Sequence, residues 1–140
     1  MWYFTDAEEK LRYDDGRKIS LGKTHGVKCE PILCKQGLHA SPTVLDAVGY
    51  APGNILYRVE LSGTIVHGYD KSCATERTYL ARIDAEPILR AFARRVALDV
   101  VHLWVVARVV ARDAAMAAKF TEYKALLDMM VTEAMAANPQ

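Results

Sequence analysis

The sequence predicts an α+β fold, a small and mostly antiparallel sheet carrying one short helix, followed by a C-terminal helical region. Three observations point to it. Ile55, Tyr57, Val59 and Leu61 alternate with Arg58, Glu60 and Ser62, which is the period-two pattern of a half-buried strand. Leu89, Val96, Val100 and Leu103 recur at helical spacing toward Trp104. The composition also shifts at Asp84, from mixed before it to Ala- and Val-rich after it. Runs of strand followed by runs of helix, without βαβ alternation, are the α+β pattern.

Taken in order, Leu11 and Tyr13 alternate with polar residues before Asp15-Gly16, and Ile19 and Leu21 alternate after it, so a hairpin is expected around that tight-turn dipeptide. From Lys23 to Lys35 the periodicity fades among Gly26, Pro31 and charged residues, which predicts a loop with a short strand. Ser41 is placed as an N-cap and Pro42 at the first helical position, with Val44, Leu45 and Val48 forming a small apolar face before Gly49 and Pro52. The Pro52-Gly53-Asn54 turn leads into the Ile55 strand, and Ser62-Gly63 is read as a turn into Thr64-Ile65-Val66-His67. Cys73 to Ile83 suits either element and is assigned to strand on Tyr79, Ala81 and Ile83. Asp84 caps a helix from about Ala85. Further on, Met116, Phe120, Tyr123, Leu127, Met130 and Ala134 form a 4-3-4-3-4 seam that fits packing on the domain or on a second copy. The division expected is a core over residues 1–110 and an Ala-rich extension over 111–140.

With 140 residues, 51% apolar and 25% charged, the chain suits one compact domain with a real core. A net charge of +1 is too balanced to imply nucleic acid or an anionic membrane, so any charged site must be local. The N-terminal residues lack a basic region followed by an apolar run, which predicts a cytoplasmic location. The apolar window from Val96 to Val110 is interrupted by Asp99, His102 and Arg108 and falls short of the ~20 residues of a membrane span. Cys29, Cys34 and Cys73 are read as reduced thiols.

Four groups of residues bear chemistry. His39 and Ser41 lie at a strand-to-helix junction, where free amides at a helix start can hold an anion, with Lys23, Thr24 and His25 supplying donors if their loop folds back. The plainer alternative is a cap at Ser41 and a satisfied His39. His25, Cys29, Cys34 and His39 are zinc-type ligands, but their intervals do not match the paired knuckles of structural zinc sites, and no metal or other cofactor is assigned. Glu76, in Ala74-Thr75-Glu76-Arg77-Thr78, is the candidate catalytic carboxylate, against the alternative of an exposed charge. Asp99 and His102, one turn apart, suit a shared hydrogen bond inside the core.

The order His25, then His39 and Ser41, then Glu76 loosely resembles the histidine, serine or tyrosine, and glutamate order of ADP-ribosyltransferases. Gly37-Leu38-His39-Ala40-Ser41, with Tyr50 and Ile55-Leu56-Tyr57-Arg58-Val59, is similar to the strand-helix-strand middle of that fold. The resemblance implies that the first residues grip NAD and that Glu76 orients the acceptor or stabilises an oxocarbenium-like ribose. A broader resemblance spans about Trp2 to Val110. Gly22-Lys23-Thr24-His25, Gly37 to Ser41, Tyr50-Ala51-Pro52-Gly53, Arg58 to Gly63, Asp70 to Thr78 and Val101-His102-Leu103-Trp104 together resemble an uncharacterised domain family frequent in bacteriophage and prophage genomes. It implies a small accessory protein in the host bacterial cytoplasm. The expected role is capture of a host protein or a nucleotide-type signal, with a possible homo-oligomer through the C-terminal helix. The alternative is an NAD-dependent enzyme of the ADP-ribosyltransferase type.

Overall fold

The computed structural model describes the backbone of residues 1–13, 15–106 and 112–137, with side chains described outside 101–116. The elements are β1 (Trp2–Thr5), β2 (Thr24–Gly26), β3 (Leu38–Ala40), α1 (Val44–Val48), β4 (Ile55–His67), β5 (Ser72–Asp84), α2 (Glu86–Val106) and α3 (Arg112–Ala137). This is the α+β class expected. The five strands form one antiparallel sheet in the order β1-β4-β5-β2, with β3 also on β5. Because β4 occupies one edge of β5, β2 and β3 lie end to end along the other, opposite Glu76–Thr78 and Ser72–Ala74 respectively.

The segment 73–83 is strand, within β5. Ser62-Gly63 is not a turn, because β4 runs through it as a bulge in its register with β5. Gly63 has φ +74, and a Cβ there would lie 2.1 Å from Thr75 Oγ1, so the position demands glycine. A second register shift pairs Arg58 with Ala81 but Val59 with Tyr79, leaving Leu80 without a partner and half exposed. That extra residue inverts the alternation, so Arg82 and Tyr79, three apart, face the same side as their partners Tyr57 and Val59. Bulges of this kind add twist to a ribbon such as β4–β5, and the strands flanking it meet, Trp2 of β1 and Ser41 just after β3 exchanging backbone hydrogen bonds of 2.9 Å in both directions.

Each face of the sheet has its own core. On one, Trp2, Phe4 and Leu56 pack with Val44 and Ala47 of α1, Phe92 of α2, and Tyr123, Leu127 and Val131 of α3. On α3 the buried row is Tyr123, Leu127 and Val131, at i, i+4 and i+8, so Tyr123 and Leu127 of the expected seam pack on the sheet while Phe120 is more than half exposed. Tyr57, Val59 and Tyr79 on the other face are covered by Leu11 and Ile19 from the segment between β1 and β2. Among the described residues the expected hairpin is reduced to one antiparallel bridge, Lys10 to Lys18, with the Leu11 amide donating to the Arg17 carbonyl and the Ile19 amide to the Glu9 carbonyl, and forms no regular strands. Left-handed backbone at Glu9 (φ 51) and Tyr13 (φ 60) interrupts the extended run, while Leu11 and Ile19 still go inside. Glu9 pins the loop, receiving Arg82 Nε and Nη2 at 2.7 and 2.9 Å and the Tyr57 hydroxyl.

Asp84 Oδ1 accepts from the Glu86 amide at 3.0 Å and starts α2 as expected. The expected boundary at 110/111 and the side chains of His102, Trp104 and Met116 lie outside the described residues. Asp99 accepts from the Tyr123 hydroxyl at 3.3 Å and pairs with Arg95. Among the described residues no helix is long and apolar enough to cross a membrane.

Candidate functional site

A helix start at Ser41 would need free amides, but the helix begins later and the Ser41 and Val44 amides are already used. The α1 helix has five residues and its N-cap is Thr43, whose hydroxyl accepts from the Asp46 amide at 3.2 Å. The Val44 amide donates to Asp128 Oδ1 at 2.6 Å, so a carboxylate of the protein already occupies the position an anion would take. Ser41 is buried and its backbone is committed to Trp2. The Ser41 cap is therefore corrected to Thr43, because the bridge to β1 holds Ser41 extended.

Nearby, a cavity of about 700 Å³ opens between β1, the 34–41 segment and the 11–15 loop. Arg77 forms its floor. The side chain is only 2% exposed, its guanidinium carbon lies 3.6 Å from the Tyr3 ring centre, and it donates to the His39 carbonyl. Nε and Nη2 both donate to the Tyr79 hydroxyl, at 3.1 and 2.8 Å. These bonds use three of the five guanidinium N–H groups. Among the described residues no carboxylate pairs with Arg77. A guanidinium cannot shed its proton, so a permanent charge is buried with only neutral partners.

The Tyr79 hydroxyl, accepting twice, has its own hydrogen for His25 Nδ1 at 3.3 Å. That assigns the Nε2-protonated tautomer to His25, whose Nε2 is buried without a partner. Burial pushes the His25 imidazole below its usual range, with Lys23, Arg17 and Arg77 adding to the effect, and burial raises the Tyr79 phenol. Both stay neutral at neutral pH, so neither cancels the charge on Arg77.

His39 lines the cavity, but its ring is used within its own loop. Nε2 accepts from the Cys34 amide at 3.2 Å and Nδ1 donates to the Gly37 carbonyl at 3.1 Å. Burial lowers its basicity against the opposing Gly37 bond. Around the mouth stand Arg12, Lys35 and Lys71, none of them ion-paired among the described residues. Tyr50 joins two of these: its carbonyl accepts from Arg12 Nη1 at 3.1 Å, and Lys71 Nζ lies 3.9 Å from its ring centre. The Tyr50 hydroxyl raises the basicity of Lys71, which keeps its charge. Among the described residues Asp15 is the acid in the lining, and Arg17 grips it through Nε and Nη2 at 2.6 and 2.7 Å.

Of the residues singled out in the sequence, His39 and Ser41 line the cavity, whereas His25 lies outside the lining and is linked to Arg77 only through the Tyr79 hydroxyl. Lys23 and Thr24 do not; Thr24 lies exposed with its hydroxyl 2.7 Å from that of Thr78. His25 and His39 do not converge, since their partners Arg77 and Cys73 are four residues apart on β5, about 13 Å at strand rise. Among the described residues no three His, Cys, Asp or Glu side chains gather to hold a metal. Glu76 is exposed, opposite Ser62, accepts from its hydroxyl at 2.9 Å, and lies outside the cavity on the face opposite Arg77. Arg77, Tyr79, Tyr3 and Lys71 were not singled out by sequence reasoning. A usable signal was present, because Arg77 falls in period-two step between Cys73 and Tyr79, positions a strand with a buried face turns inward.

No curated protein and no solved structure matches the chain. A family model described as a domain of unknown function, DUF7666, matches residues 7–91, which is more than half of the chain and includes every cavity residue from Leu11 to Arg77. The chain belongs to the DUF7666 family.

Proposed function

We propose that the chain is a binding protein that captures an anionic small molecule of nucleotide type in the cavity above Arg77. The observation that carries this reading is the buried guanidinium without a carboxylate partner. Burying such a charge costs several kcal/mol, and its hydrogen bonds to Tyr79 and His39 return only part of that. A ligand anion meeting the remaining N–H groups supplies the missing charge and a bidentate geometry. The cavity volume falls within the few-hundred-to-thousand Å³ range of small-molecule sites, and the Tyr3, Tyr13 and Tyr50 rings offer surfaces for a flat group. The resemblance to a phage and prophage family supports the further proposal that the molecule is a host signal and the protein an accessory factor acting on the host.

The geometry favours binding over transfer chemistry. An ADP-ribosyltransferase-type role would ask Glu76 to face the ligand, whereas Glu76 lies outside the cavity and on the other face.

The test is calorimetric titration with AMP, cyclic AMP and NAD, on the wild type and on Arg77→Met. Binding of one of the three by the wild type and its loss in the variant is the expected result. Equal affinity in the variant, or silence from all three nucleotides with the wild type, overturns the reading.

A further inference from the structure

Among the described residues the lining of the cavity carries more positive charge than one phosphate neutralises. Arg77 on the floor and Arg12, Lys35 and Lys71 at the mouth are four cations without an ion-pair partner among the described residues, and Asp15 is committed to Arg17. Two positions are built rather than incidental. The floor is fixed by Tyr3, Tyr79 and the His39 carbonyl, and the mouth by Tyr50, which takes Arg12 on its carbonyl and Lys71 over its ring. A monophosphate brings fewer than two full charges at pH 7, and a diphosphate ester about three, spread over two linked groups.

We infer that the ligand carries two linked phosphate groups, a nucleoside diphosphate in chemical class, with one phosphate on the floor against Arg77 and the other at the mouth between Arg12 and Lys71. This rests on the reading of the cavity as a nucleotide-type site and adds the phosphate count to it. Arg77 is sunk in the floor and reads geometry through its remaining N–H groups, while the exposed Arg12 and the half-buried Lys71 act as charge contacts. The nucleoside is left toward the open side, next to the Tyr50 and Tyr13 rings.

The experiment is a calorimetric series with adenosine, AMP, ADP and inorganic pyrophosphate in a buffer free of divalent cations, with the wild type, Arg12→Ala and Lys71→Ala. The expected order is ADP over AMP over adenosine, with roughly tenfold or more between ADP and AMP, and an ADP-to-AMP ratio that collapses toward one in either variant. Equal affinity for AMP and ADP overturns the diphosphate and leaves the nucleotide reading standing. Pyrophosphate binding as tightly as ADP supports the two-phosphate subsite and removes the nucleoside from it. If no member of the series binds, the inference and the reading beneath it both fall. Circular dichroism of each variant checks that the fold is kept, Arg12 being exposed and Lys71 half-buried.

Discussion

Arg77 and Tyr79, two residues apart on β5, are joined by a pair of hydrogen bonds in which one phenolic oxygen accepts from both Nε and Nη2 of the guanidinium. The pair stands on the same side of the strand by alternation, and the His25 ring beyond it completes a buried chain of neutral acceptors around a cation. Each acceptor holds the guanidinium in place without cancelling its charge, which keeps it available to an anion.

Arg77→Met should separate stability from binding. Removing a buried charge that no carboxylate compensates relieves its desolvation cost of several kcal/mol, which offsets the donors lost to Tyr79 and His39, whereas a ligand anion loses its N–H partners. Urea unfolding is expected to give a midpoint equal to or above that of the wild type, together with lost nucleotide binding. A midpoint drop worth more than about 2 kcal/mol would show that Arg77 is kept as a structural residue.

Tyr79→Phe has the opposite expectation. The ring still packs on Tyr57 and Tyr3, at centroid distances of 5.3 and 6.4 Å, but two guanidinium donors and His25 Nδ1 lose their partner. An unsatisfied buried group costs about 1–3 kcal/mol, so the urea midpoint should fall. An unchanged midpoint would mean that water replaces the hydroxyl and that the network is not closed.

How much of this was legible in the sequence depends on which physical signal each element carries. The Ile55 to Leu61 alternation and the Asp84 cap are local patterns, and both stand where they were expected. The short β1 is not a local pattern; its four residues are held by pairing with β4, fifty or more positions away. Ser62-Gly63 read as a turn because glycine's left-handed backbone serves turns and bulges alike, and only the approach of Thr75 decides between them. The site was half legible. His39 and Ser41 marked the right segment on a helix-start argument that fails, since Asp128 arrives there from a distant helix. Arg77 went unnoticed because a charge beside Glu76 reads as solvent-facing until β5 is known to bury one side.

Folding should become pH-dependent just below neutrality. Burial holds His25 and His39 below their ordinary range in the folded state, while the unfolded chain takes up their protons near pH 6.5. With folded values depressed, the stabilisation is complete above about 6.5 and is lost as pH falls from there toward the folded values. Urea midpoints measured from pH 8 down to 5.5 should decline from about 6.5, and His25→Phe should flatten part of that slope, with His39 accounting for the rest. A wild-type midpoint that is level across this range would contradict the burial of both rings.

Glu76→Gln bears on the class of function. Its carboxylate faces away from the cavity and meets the Ser62 hydroxyl on an exposed surface, so nucleotide affinity is expected to stay within about twofold of the wild type. A loss of tenfold or more would bring Glu76 into contact with the ligand and restore the transferase alternative.

The last expectation concerns the C-terminal helix. A seam serving a second copy would tolerate a polar change in the isolated protomer, whereas Leu127 is fully buried in one core with Trp2, Phe4 and Val44. Truncating it to Ala opens a cavity in that core and should cost about 2–5 kcal/mol. Leu127→Asp should go further and unfold the domain, because a carboxylate there has no partner and cannot reach water. Phe120→Asp is the contrasting change, at a position more than half exposed, and should leave the melting temperature within a few degrees. Size-exclusion chromatography alongside thermal melts separates the two cases. If Leu127→Asp gives a folded protein of smaller apparent size, the helix joins two copies; if it gives an unfolded chain while Phe120→Asp stays native, the helix closes the core of a single one.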